Sequence, residues 1–148
     1  MKSCILSLTN RLSAFTPIRI TNKPFDGEVI TLKRILIVDD AAFMRASIKR
    51  ILERNGFGIA GEAEDGEAGV QKYQELRPDI VTMDITMPVM TGLEALRKIK
   101  ELDPDAKVVI ISAMGQEHLV REAIISGAKT FIVKPFTEEH MMMTLNKI

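Results

Sequence analysis

From Lys33 onward, short apolar runs alternate with stretches whose apolar residues recur at helical spacing. Ile35-Leu36-Ile37-Val38 reads as a strand. Met44, Ile48, Ile51 and Leu52 then mark one helix face, which Asn55-Gly56 stops. Phe57 to Gly61 predicts a weak strand. Asp65 stands as N-cap to a helix with Val70, Tyr73 and Leu76 on one face, ending before Pro78. Ile80 to Met83 is the third strand. Thr91 and Glu94 form a capping-box pattern that opens a helix carrying Leu93, Leu96 and Ile99, closed by Asp103-Pro104. Val108 to Ile111 is the fourth strand, and a helix with Val120, Ala123 and Ile124 on its apolar face runs to a C′ glycine, Gly127. Phe131-Ile132-Val133 is the fifth strand. Thr137, followed by Glu138 and Glu139 in the first turn, starts the last helix.

Five strand–helix pairs within residues 33–148 predict an α/β fold, a doubly wound parallel sheet with helices on both faces. The first, third and fourth strands are unbroken apolar runs, as strands covered on both faces should be. The second strand is glycine-rich and the fifth starts polar, at Lys129-Thr130, so both suit edges. That assignment agrees with strand order 2-1-3-4-5, one of the known orders for such sheets.

Composition narrows the function classes. The 148 residues carry 20 basic and 20 acidic side chains, which removes the electrostatic case for nucleic-acid or membrane-surface binding. No apolar run has the length of a membrane span, and the single Cys4 leaves no internal disulfide and no thiolate zinc site. A cytoplasmic monomer is expected. Residues 1–32 differ from the rest: they hold a net +2 against −2 for the remainder, and Asn10, Arg11 and Ser13 interrupt what would otherwise be the apolar region of a signal peptide. They are expected to be a poorly ordered or loosely docked extension, or the product of a start codon upstream of the natural one. No function is assigned to them.

Open α/β sheets bind ligands beyond the carboxyl ends of their strands. Those positions hold Asp39 and Asp40 after the first strand, Asp84 after the third, Ser112 after the fourth and Lys134-Pro135 after the fifth. Singly, each has an ordinary reading; Asp40 alone would be read as a helix cap. Together they gather three carboxylates, a hydroxyl and an ammonium on one rim. Two carboxylates about 4 Å apart repel by roughly 4 kcal/mol at an effective dielectric near 20, so three persist only with a cation or a chemical use. Oxygen donors with room for water suit Mg²⁺. A carboxylate can also attack phosphorus to give an aspartyl-phosphate. Asp84, the single acid on the central strand, is the natural nucleophile, with Asp39 and Asp40 holding the metal.

The segments Ile35–Asp40, Met83-Asp84-Ile85-Thr86-Met87-Pro88 with Gly92, Ser112-Ala113 and Lys134-Pro135-Phe136 resemble a response-regulator receiver domain over Lys33–Ile148. Asp39–Arg45, the Met83–Pro88 segment and Ser112-Ala113-Met114-Gly115-Gln116 are most similar to the single-domain chemotaxis regulators of that family. The resemblance implies a flavodoxin-like fold and a sensor histidine kinase whose phosphohistidine donates to Asp84. It implies Mg²⁺ bound by Asp40, Asp84 and the backbone carbonyl of Thr86, with Asp39 acting mainly through water. Ser112 and Lys134 would contact phosphoryl oxygens, and the Lys134–Pro135 peptide would be cis. Ser112 and Phe131 would switch the face made by the fourth helix, fifth strand and fifth helix, and a flagellar motor switch protein would read it. Phe131 stands where many chemotaxis regulators have tyrosine. A dedicated phosphatase is a further possible partner.

On the last helix, Met141, Leu145 and Ile148 share a face; Met142 and Met143 cannot both join it, which leaves a partner patch or scattered surface methionines. Gly56-Phe57-Gly58-Ile59-Ala60-Gly61 spells a dinucleotide fingerprint but runs from helix end into strand, the wrong order. His118 and His140 are read as surface residues. The rival enzyme, a Mg²⁺-dependent phosphohydrolase of haloacid-dehalogenase type, would need an acid where Thr86 stands. A phosphorelay intermediate or a stand-alone receiver of another pathway are the alternatives within the family.

Overall fold

The computed structural model describes residues 32–148; apart from the exposed Leu32, the expected extension over residues 1–32 lies outside them. The order is β1 (Arg34–Val38), α1 (Ala42–Arg54), β2 (Gly58–Ala63), α2 (Gly66–Leu76), β3 (Ile80–Asp84), α3 (Gly92–Leu102), β4 (Val108–Ala113), α4 (Glu117–Ile125), β5 (Thr130–Lys134) and α5 (Glu138–Leu145). All strands are parallel, in the order β2-β1-β3-β4-β5, the flavodoxin-like arrangement expected from the sequence.

Alternation along the strands builds two cores. Leu36, Val38, Val81, Met83, Val108 and Ile110 face one side, where α2, α3 and α4 cover them with Tyr73, Leu96, Ile99 and Ala123. Ile35, Ile37, Ile80, Val109, Ile111 and Ile132 face the other, covered by Ile48 and Leu52 of α1 and Met141 and Leu145 of α5. Successive strand residues point to opposite faces, so a run apolar at every position is what a two-sided sheet demands. No helix among the described residues is long and apolar enough to cross a membrane.

The predicted caps are present. Asp65 accepts from the Ala68 N–H at 2.8 Å. Thr91 and Glu94 form the reciprocal capping box, and Thr137 accepts from the His140 N–H at 3.0 Å. Gly127 carries the positive φ, +110°, of a residue just past a helix end. Two expectations need correction. The second strand lies at Gly58–Ala63 rather than Phe57–Gly61 and is paired along its length, with a register shift opposite Ile35/Leu36 that takes up the extra residue; Phe57 instead packs against the α1 side of the core. Ile124 is 42% exposed, because α4 turns Val120 and Ala123 inward and leaves Ile124 and Ile125 facing outward.

Candidate functional site

The ladder brings the rim together. Val38 pairs with Met83, so Asp39 and Asp84 emerge side by side from β1 and β3. Asp84 pairs with Ile111, which puts Ser112 one step beyond it, and Ala113 pairs with Lys134. Oxygens of Asp39, Asp40 and Asp84 all lie within 4.8 Å of one another. Asp39, Asp84 and Ser112 are buried, while Asp40 is exposed.

Lys134 Nζ stands 3.4 Å from both Asp39 Oδ2 and Asp84 Oδ1. Those distances are longer than a tight charge-assisted bond, so the ammonium is shared between two carboxylates. One cation does not neutralise three acids. Burial pushes the Asp84 carboxyl up to about 6; Lys134 opposes that rise, and Asp39 and Asp40 add to it. Asp39 Oδ1 accepts the Ala41 N–H at 2.9 Å. Asp40 makes no hydrogen bond or ion pair among the described residues. It does not cap α1 either: the N-cap position is Ala41, without a side-chain cap. The ordinary reading of Asp40 therefore fails. An all-oxygen donor set of crowded, partly desolvated carboxylates fits Mg²⁺.

The Ser112 hydroxyl is buried and makes no hydrogen bond to the described residues. The same is true of Thr82, deeper in β3. Beside Ser112, a groove of about 390 Å³ runs between α4 and β5, lined by Ala113, Val120, Ile124, Phe131 and Val133. Phe131 is 42% exposed, so its ring is not fully taken into the core. The Lys134–Pro135 peptide is cis.

Several residues of the rim had no role assigned from the sequence. Arg45 donates from a guanidinium NH to the Asp39 carbonyl at 2.7 Å and from Nε to Glu62 at 3.2 Å, tying α1 to the ends of β1 and β2. Gly92 places the start of α3 against the backbone of Asp84 and donates its N–H to the Ile85 carbonyl at 2.7 Å. Val89, at φ +69°, forms a γ-turn in which the Met90 N–H reaches the Pro88 carbonyl, an uncommon conformation for a β-branched residue. Gln116 bridges Ala113 and Thr86. Arg45, Gly92 and Gln116 stood in or beside the segments that carry the family resemblance, and Gly92 also follows the capping threonine; Val89 had no signal.

Met142 and Met143 separate. Met142 is half-buried against the α1-side core, and Met143 is exposed. Both line a depression with Asn55, Glu138, Glu139 and Asn146, and neither lines the groove that holds Phe131. His118 and His140 are exposed, as expected.

The chain matches the response regulator receiver domain over residues 35–146. It is 56% identical to the chemotaxis protein CheY of Thermotoga maritima over 116 residues, 78% of this chain and 97% of that protein. It is also 56% identical to the chemotaxis protein CheY of Bacillus subtilis over 114 residues, 77% of this chain and 95% of that one. In structure it superimposes on a chain of the CheX–CheY–BeF3–Mg²⁺ complex from Borrelia burgdorferi with a TM-score of 0.75 and 44% identity, covering 77% of this chain and 87% of that one. A receiver is a signalling domain, so the family removes the phosphohydrolase alternative. The chain belongs to the response regulator receiver domain family and is of the CheY-like chemotaxis type.

Proposed function

We propose that this protein is a phospho-accepting chemotaxis regulator in which Asp84 takes a phosphoryl group from the phosphohistidine of a sensor kinase. The observation that carries this is the buried Asp84 carboxylate, set beside two further acids with one ammonium shared at 3.4 Å. In the transfer, an Asp84 carboxylate oxygen bonds to phosphorus as the histidine N–P bond breaks, and the imidazole nitrogen keeps the electron pair. Asp39, Asp40, Asp84 and the Thr86 carbonyl would hold Mg²⁺, which when bound offsets the crowded negative charge and that of the incoming phosphoryl oxygens. Lys134 supplies a second positive charge from β5. The Ser112 hydroxyl, without a partner among the described residues, is available to donate to a phosphoryl oxygen. The Borrelia relative, solved with BeF3 and Mg²⁺, supports the reading.

The test is incubation with a small acyl-phosphate donor. Labelling should require Mg²⁺, add one phosphoryl group per chain, and vanish in Asp84→Asn. Labelling without magnesium, or undiminished in the variant, would refute the assignment.

The output follows from the groove. When Ser112 turns to the phosphoryl group, Phe131 moves in against Val120 and Val133, and the α4-β5-α5 face changes shape for a flagellar motor switch protein. Phenylalanine has no hydroxyl to anchor it, so apolar burial alone biases the ring. Phe131→Ala should leave phosphorylation unchanged. It should weaken the phosphorylated form's binding to the switch protein about tenfold, the ~1.4 kcal/mol expected for incomplete burial of one ring. Calorimetric titration of phosphorylated wild type and variant checks this, and equal affinities would remove Phe131 from the switch.

A further inference from the structure

Gln116 sits at the N-cap position of α4 yet makes no cap bond. Its side chain turns away from its own helix. Oε1 accepts the Ala113 N–H at 2.7 Å, and Nε2 donates to Thr86 Oγ1 at 2.9 Å. The orientation of the amide is fixed by chemistry, since a main-chain N–H can only donate and so must face the oxygen. The pairing of β3 with β4 ends at Asp84 opposite Ile111. Two residues further, the same register brings Thr86 level with Ala113. The Gln116 amide therefore closes the strand ends just beyond Asp84, supplying from a side chain the link that the ladder no longer makes. Gly115, at φ +87°, provides the turn that lets Gln116 reach back.

An anion on Asp84 needs hydrogen-bond donors, and β4 offers two in succession. The Ser112 hydroxyl has no partner among the described residues, whereas the Ala113 N–H is already engaged. We infer that Gln116 is a positioning residue, a latch that withholds the Ala113 N–H and ties the β4–α4 loop to Thr86 until a phosphoryl group displaces it. This rests on Asp84 being the phosphoacceptor. The latch exists only in the unmodified state and so opposes the modified one. Removing it shifts the balance toward phosphate, and because Gln116 adjoins the first residue of α4, its release passes the event to that helix.

Beryllofluoride with Mg²⁺, titrated calorimetrically into the full chain, reads this balance. Gln116→Ala should bind the anion about three- to tenfold more tightly than wild type, the effect of losing one or two neutral hydrogen bonds from the competing state. Thr86→Val, which removes the other anchor, should also tighten binding, and the double variant should bind no tighter than Gln116→Ala alone. Gln116→Glu keeps an acceptor for Ala113 while adding negative charge, and should bind more weakly than wild type. A bracing role alone would lower urea stability without tightening anion binding. If wild type binds beryllofluoride and Gln116→Ala binds it equally or less well, the latch is refuted and the phosphoacceptor site stands. If wild type itself fails to bind, the site assignment falls and the latch with it.

Discussion

Asp84→Asn should stabilise the metal-free protein at pH 7, by on the order of 2 kcal/mol. The cause is the burial that pushes the Asp84 carboxyl from 3.8 up to about 6. Between those values the folded state binds a proton that the unfolded chain has released, so stability falls as pH rises through the window. Above it the ionised, buried carboxylate costs the fold up to about 3 kcal/mol, at roughly 1.4 kcal/mol per unit. Asparagine keeps the shape and removes that charge. The Lys134 ammonium already offsets part of that cost in the wild type, and in the variant it keeps Asp39 as its partner. Urea denaturation in chelator should show the variant ahead at pH 7, with the gap narrowing through pH 4.5 and closing below pH 3.8, where folded and unfolded wild type both hold the proton. Magnesium should stabilise wild type more than the variant. An advantage that persists unchanged at pH 4.5 would mean that charge is not its origin.

Two other carboxylates bound that experiment on the acid side. Asp103 is held low by the Tyr73 hydroxyl, which donates to it at 2.7 Å, and Glu138 is held low by its bonds from Arg54. Both contribute stability that is lost as pH falls through their folded values, which is the opposite sign. Metal-free stability should therefore pass through a maximum on the acid side of neutrality.

Gly92→Ala should damage both fold and site. A Cβ there would overlap the Asp84 carbonyl oxygen and lie 2.9 Å from the Ile85 Cα. These are backbone atoms at the proposed nucleophile, so no side chain can rotate away to make room. Overpacking of this kind costs about 1–3 kcal/mol and more when the backbone must yield, and the expected loss is at the upper end. The displaced atoms carry Asp84, so acyl-phosphate labelling should fall at least tenfold even at temperatures where the variant is folded. Gly58→Ala is the control. Its Cβ would meet nothing closer than 3.6 Å, and it should leave labelling intact. Normal labelling of folded Gly92→Ala would show that the close approach of α3 does not set the carboxylate's position.

The sheet and most of the rim were legible because they depend on local pattern. Unbroken apolar runs mark β1, β3 and β4, and Asp39, Asp84, Ser112 and Lys134 follow or end strands whose register the alternation sets. Caps at Asp65, Thr91 and Thr137 obey rules spanning three residues. What the sequence withheld depends on contacts between distant loops. Gln116 meets Thr86 across 30 positions and has no local signature. The helix reading of Ile124 gave its side but not the groove that leaves the side uncovered. Asp40 is the converse case, where the local rule was available and tertiary demand overrode it. The spacing on α5 says that Met142 and Met143 cannot both reach the sheet, but not that Met142 is the one that packs against it.

The placement of Asp84 at the end of the central strand has a consequence for motion. Backbone amides of a strand covered on both faces exchange with solvent only when the whole domain opens, whereas loop amides exchange through small local excursions. The proposed phosphoacceptor is thus moored to a strand of the slowest-opening kind. Thr86 and Gln116, on the β3–α3 and β4–α4 loops, lie beyond the end of that ladder, where local opening is easier. A fixed anvil ringed by easily moved pieces lets the modification rearrange its surroundings without loosening the scaffold that defines where it happens.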